Sequence, residues 1–256
     1  MKVKVLGAHN CESQGTKLVS LLIDDVLALD AGALTSSLTF SEQLELRAIL
    51  LTHQHYDHIK DIPALAMNLF LSGGTITIYS TAPVFDAVSS YLLDGKLYPK
   101  FMETPSSKPT VSFNIIEPHQ VVLIDGYKVL AIPVEHATPT VGYQITSPEG
   151  KSLFYTGDTG PGLDERWQYI SPQLLITEVT APNKYEDFAR ESGHLTPSLL
   201  GQELAKFREI KGYLPQTVLV HMNPRVEKEI AAELSAVVAS LGSEITLAYE
   251  GMQISL

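Results

Sequence analysis

A chain of 256 residues, 45% of them hydrophobic, is long enough to bury a layered core. Its single cysteine, Cys11, excludes both a disulfide framework and a thiolate metal cage. The formal net charge of −11 argues against broad non-specific contact with nucleic acid, which is left as a second-rank partner, although bound divalent ions would invert that potential locally.

The start, Met1–Gly7, alternates like a strand and carries no apolar signal core. No apolar stretch approaches the ~18 residues of a membrane span. A cytoplasmic protein with no membrane partner is expected. Val3–Leu6, Leu18–Ile23 and Val26–Asp30 read as strands, with Asp24-Asp25 as a hairpin turn. His9, in the loop after the first strand, is a candidate substrate contact. Asp30-Ala31-Gly32 reads as an ordinary turn, with support of a nearby histidine loop as the alternative.

Arg47–Leu51 is a buried strand, and a helix runs from about Ile59 to Leu71. Ile76–Tyr79 follows as a strand and Pro83–Leu93 as a helix. Asp94–Thr110 holds Pro99, Pro105 and Pro109 without periodicity; a segment of this kind serves as a lid, a substrate loop or a contact in a homodimer. Phe113–Ile116, Val121–Ile124 and Val129–Val134 return to strand. Val141–Ile145 and Ser152–Tyr155 make a hairpin around Pro148-Glu149-Gly150, and Leu174–Thr177 is another buried strand. Thr196 caps a helix that has Pro197 at its first position and reaches about Phe207. After the strand Val218–Val220 come a helix over Pro224–Ser240 and the strands Ile245–Ala248 and Met252–Ser255. Strands and helices alternate without a repeat or a linker, so residues 1–256 are expected to form one α/β domain.

The chemistry concentrates in Thr52-His53-Gln54-His55-Tyr56-Asp57-His58, where the buried strand ends. Such a turn aims alternate side chains at one point: His53 and His55 share a side, and Asp57 and His58 lie beyond the bend. His136, Asp158 and His221 each follow an apolar strand, and strand ends on one sheet edge converge in space. Two divalent metal ions are therefore expected. His53, His55 and His136 would hold the first, and Asp57, His58 and His221 the second, with Asp158 between them. Nitrogen and oxygen donors suit zinc first, with manganese and iron as alternatives. Ions about 3.5–4 Å apart share and acidify a water that attacks a phosphodiester. His194, at a loop–helix junction, is read as an unligated group that assists the leaving oxygen. Glu178 is read as supporting the site, and His119 as a surface residue.

His53-Gln54-His55-Tyr56-Asp57-His58, His136, Gly157-Asp158-Thr159 and His221 together resemble the metallo-β-lactamase superfamily, in the family's donor order. The resemblance implies a four-layer αββα sandwich with a dinuclear site at one edge. Glu178–Asn183, Ser192–Pro197 and Glu250–Ser255 are most similar to class II cyclic-nucleotide phosphodiesterases, with Tyr56 standing where that group usually has leucine. That likeness implies a small-molecule substrate, a 3′,5′-cyclic nucleotide hydrolysed to the 5′-monophosphate, with His194 near the leaving oxygen; Asp57 is expected to join it in catalysis by orienting the attacking hydroxide while it ligates the second ion. A ribonuclease Z-like tRNA 3′-processing enzyme is the second reading; such enzymes usually carry a protruding arm between the elements of Asp158 and His194. A thioester or lactam hydrolase is the third.

Overall fold

The runs that read as buried strands lie in two seven-stranded sheets. A computed structural model describes residues 1–256. In chain order the strands are β1 (Lys2–Gly7), β2 (Ser20–Ile23), β3 (Leu27–Leu29), β4 (Ala48–Leu50), β5 (Ile76–Ser80), β6 (Val111–Ile115) and β7 (Val121–Ile124). They continue as β8 (Tyr127–Val134), β9 (Thr140–Thr146), β10 (Ser152–Tyr155), β11 (Leu174–Glu178), β12 (Gln216–Val220), β13 (Ile245–Leu247) and β14 (Gln253–Ser255). The first sheet has the order β14-β1-β2-β3-β4-β5-β6, and the second β13-β12-β11-β10-β9-β8-β7. Each is antiparallel in one half and parallel in the other, the change falling at β3 and at β10.

Burial explains why these strands are nearly all apolar. Leu27 and Leu29 of β3, with Ala48 and Leu50 of β4, join the core packed between the sheets, alongside Val129, Tyr143 and Tyr155. Ala28 and Ile49, one residue out of phase, face the second core beneath Leu65, Ala66 and Leu69 of the helix Ile62–Leu71. Helices on the outside leave no face of these strands to water, so the sequence runs hydrophobic without alternation. The helices Pro197–Lys211 and Glu227–Leu241 contribute Leu199, Leu204, Phe207, Ile230 and Leu234 to the core of the other sheet. The result is the expected αββα sandwich.

Several elements differ from the sequence reading. Two helices, Leu34–Ser37 and Phe40–Glu45, fill a stretch that carried no assigned element. The second has a capping box: Thr39 accepts from Glu42 N, and the Glu42 carboxylate accepts from Thr39 N at 2.8 Å. The helix after the histidine motif divides into Tyr56–Ile59 and Ile62–Leu71. Ala31 inserts at the break, donating to His58 O at 2.7 Å and accepting from Asp61 N at 2.9 Å. The helix expected over Pro83–Leu93 is α from Ala82 to Ala87 and π from Val88 to Leu92. The helix opened by Thr196 runs beyond Phe207 to Lys211, where Gly212 at φ 76° ends it, and the helix placed from Pro224 begins at Glu227. Asp94–Thr110 contains no helix or strand, but Phe101 is buried and its ring meets Phe70, 5.4 Å between centroids.

Candidate metal centre

The polar donors stand where strands end along one edge of the sandwich. β4 feeds His53–His58, β8 feeds His136, β10 feeds Asp158, β11 ends in Glu178 and β12 feeds His221. The sheet edges bring together all seven residues expected to bind metal, in two groups. Donor atoms of His53, His55, His136 and Asp158 lie within 4.8 Å of one another, as do those of Asp57, His58, Asp158 and His221. Asp158 belongs to both. Its Oδ2 is 3.7 Å from His53 Nε2 and 3.3 Å from His221 Nε2, and its Oδ1 is 3.3 Å from His58 Nε2.

The imidazoles are oriented by bonds on their far sides. Thr52 Oγ1 donates to Asp30 and so accepts from His53 Nδ1, 3.0 Å away. His58 Nδ1 donates to Asp30 Oδ2 at 2.8 Å, and His136 Nδ1 to Gly193 O at 2.8 Å. Thr180 Oγ1 donates to Glu178 Oε2 at 2.7 Å and accepts from His221 Nδ1 at 2.8 Å. With each Nδ1 committed in this way, each Nε2 is left facing the cluster. His53 Nε2, His58 Nε2 and Asp158 Oδ1 are buried without a hydrogen-bond partner. Orphaned polar atoms in a packed interior are costly, and a cation among them would satisfy all three. The donor set therefore fits metal ions.

Electrostatics agree with that fit. Burial pushes His53, His55 and His136 below the usual imidazole range, so their lone pairs are available. For Asp158, burial opposes ionisation, but the imidazoles of His221 and His58 outweigh it and hold the carboxyl well below its usual range. Asp57 behaves likewise: burial raises it, while His221 and His58 bring it down further. His58 is held cationic against burial by Asp158 and Asp30. Two carboxylates thus make a place for positive charge, whether a proton or a metal ion.

His194 sits beside the two groups. Its ring stacks on His221, 5.4 Å between centroids, and its Nδ1 donates to Glu178 Oε1 at 2.6 Å. Burial works against the charged form, but the Glu178 carboxylate raises its pKa to about 9. His119 is exposed at φ 64°, as the surface reading expected, and its ring lies 4.8 Å from Tyr169.

Asp30 corrects the sequence reading, which favoured an ordinary turn. Its fully buried carboxylate accepts from His58, Thr52 N, Thr52 Oγ1 and Tyr155 Oη. An aspartate ending an apolar strand beside a histidine motif was the available signal. Tyr155 and Thr180 were not singled out; Tyr155 is an aromatic within an apolar strand, and the role of Thr180 follows from the end of β11 lying beside that of β12. His9 proves to be occupied elsewhere: its Nδ1 meets Glu250 Oε1 at 2.7 Å and its Nε2 meets Glu227 Oε2 at 3.3 Å.

Two backbone positions make the convergence possible. Gly193 adopts φ 73°, and a Cβ there would stand 2.6 Å from His136 Cα. His221 itself has φ 62°, a conformation rare outside glycine and often held at functional sites.

Sequence comparison finds a probable 3′,5′-cyclic-nucleotide phosphodiesterase of Yersinia pestis, 24% identical over 207 residues. The alignment covers 72% of this chain and 59% of that protein, so the chain spans less than two thirds of that relative's length. A ribonuclease Z of Kineococcus radiotolerans is 24% identical over 242 residues, covering 77% of this chain and 74% of that protein. Among solved structures, unliganded yeast PDE1 superposes with a TM-score of 0.85 at 15% identity, over 100% of this chain and 99% of that one, a likeness of fold. The model of the β-lactamase superfamily domain matches residues 21–222, most of the chain. With that match and that fold, the protein belongs to the β-lactamase superfamily.

Proposed function

We propose that the protein is a phosphodiesterase that hydrolyses a 3′,5′-cyclic nucleotide to the 5′-monophosphate. The observation that carries this reading is the pairing of two donor groups through Asp158 with His194 beside them, its ring held by Glu178. His53, His55, His136 and Asp158 would hold one divalent ion, and Asp57, His58, His221 and Asp158 the other, with zinc first and manganese or iron as alternatives. Bound ions of this kind polarise a phosphoryl group and acidify water.

The chain's own residues supply the rest. Asp57 is anionic and its side chain is 29% exposed, so it can accept a hydrogen bond from the attacking water and orient it. His194 is fixed through Nδ1 by Glu178, whose carboxylate favours the protonated ring, leaving Nε2–H to donate to the departing 3′-oxygen as its bond to phosphorus breaks. The ring would then recover its proton from solvent. A thioester, whose thiolate leaves without a proton, calls for less help of this kind, which favours the diester over it.

A ribonuclease Z-like activity is the second reading, favoured by the fuller coverage of the Kineococcus relative. Against it, the chain between Asp158 and His194 is occupied by the short helix Asp164–Trp167, β11 and the helix Glu186–Ser192, the first two of which add Trp167 and Ile176 to the core. The test is turnover of 3′,5′-cyclic AMP, bis(p-nitrophenyl) phosphate and a 3′-extended tRNA precursor by zinc- or manganese-loaded protein. Cyclic AMP cleavage that disappears in Asp57→Ala is the expected result. Cleavage of the generic diester alone removes the cyclic substrate, and preferred tRNA trimming installs the second reading.

A further inference from the structure

The donors are not equally shielded. The side chains of His53, His58 and His136 are at most 1% exposed, whereas those of Asp57 and His194 are 29% and 16% exposed. Solvent, and hence substrate, reaches the centre from the Asp57 and His194 side. Tyr56 is the chain neighbour of Asp57 there. It lies between His55 and Asp57 in the chain, opens the helix Tyr56–Ile59, and is 64% exposed, while His58 and Ile59 of the same helix are buried. Packing therefore does not account for an aromatic ring here.

A second unexplained group lies nearby. The loop after β1 runs from the His221 strand end to the Tyr56 helix: Asn10 N donates to Met222 O at 3.2 Å, and Lys60 Nζ meets Glu12 Oε1 at 2.5 Å. Within that loop, Asn10 Oδ1 is buried without a hydrogen-bond partner. His9 cannot serve in its place, because both its ring nitrogens are engaged by Glu250 and Glu227.

We propose that Tyr56 and Asn10 form the subsite for the nucleoside part of the substrate, with the base stacked on the Tyr56 ring and a polar edge of the nucleoside hydrogen-bonded to the Asn10 amide. This rests on the cyclic-nucleotide reading of the same centre. Stacking on an exposed aromatic tolerates any base, since every base has a π-face. The amide adds direction, because a buried polar group left unpaired penalises ligands that cannot meet it.

Two measurements on metal-loaded protein test the proposal: calorimetric binding of 5′-AMP and of ribose 5-phosphate, and KM and kcat for 3′,5′-cyclic AMP. Tyr56→Ala is expected to weaken 5′-AMP binding and raise KM about tenfold, leaving kcat and ribose 5-phosphate binding unchanged. Tyr56→Phe, which keeps the π-face, is expected to bind as the unaltered protein does. Asn10→Ala is expected to weaken 5′-AMP binding by about tenfold as well. If Tyr56→Ala weakens both ligands equally, or neither, the stacking role is overturned; unchanged binding in Asn10→Ala overturns the amide's part. Cyclic AMP turnover by the unaltered protein separates the two readings. Turnover with silent variants sinks only this subsite, whereas absence of both turnover and 5′-AMP binding sinks the cyclic-nucleotide reading with it.

Discussion

Asp30 Oδ2 accepts from His58 Nδ1 at 2.8 Å, joining the end of β3 to the histidine motif that follows β4. The same carboxylate takes three further donors, from Thr52 and Tyr155. Asp30→Asn would turn an amide NH₂ toward at least one of those donors. Loss of such outer partners costs about 10–100-fold in metal affinity. Chelator competition should show that drop for the second ion, and unchanged affinity would make Asp30 a purely structural residue.

His194 is expected to act on the leaving group and not to hold metal. His194→Gln keeps a hydrogen-bonding side chain while removing the transferable proton. Turnover should fall by about 10²–10⁴-fold, with both ions retained by elemental analysis. Loss of an ion would make His194 a ligand and reverse the assignment.

How far the sequence foretold the centre depends on the kind of contact. His53, His55, Asp57 and His58 are legible because one strand and one turn place them, and His136, Asp158 and His221 because each follows an apolar run. Their division into two groups around Asp158 was also legible from their order, and the sheet order gives its physical basis: β4, beside the central strand of one sheet, and β10, central in the other, carry their ends to one edge. Tyr155 gave no signal: its hydroxyl reaches Asp30 across the interface between the sheets, a contact separated by 125 positions in the chain. The missed helix Phe40–Glu45 is of another kind. Its capping box was readable in Thr39 and Glu42, but the short span between polar residues shows no apolar period.

Gly193→Ala tests whether backbone approach positions His136. The new Cβ would stand 2.6 Å from His136 Cα and 3.0 Å from Ala137 N, at a φ of 73°. Strain of this kind costs about 1–3 kcal/mol, so the melting temperature should fall. Because Gly193 O also fixes His136 Nδ1, the first ion should bind more weakly than the second. A variant that melts lower yet binds both ions normally would separate the strain from the site.

The pairing of His9 with Glu250 predicts a pH window for stability. His9 is buried, and burial disfavours its charge, but Glu250 and Glu227 outweigh this and raise its pKa above 6.5. Burial also raises Glu250, yet the His9 hydrogen bond and the Lys17 amide bring it down to about 2 from 4.5. A raised histidine stabilises fully below its unfolded pKa and loses that contribution as pH climbs through its folded value. A lowered glutamate stabilises fully above its unfolded pKa and loses that contribution as pH falls toward about 2. Both contributions are complete only between about 4.5 and 6.5, the two unfolded values. The melting-temperature difference between the unaltered protein and His9→Gln should therefore be largest in that interval and shrink on both sides. Since His9 ties the loop after β1 to Glu250, ahead of β14, and to Glu227 of the last helix, a difference that stays flat with pH would mean the ring holds these segments by shape alone and carries no charge between them.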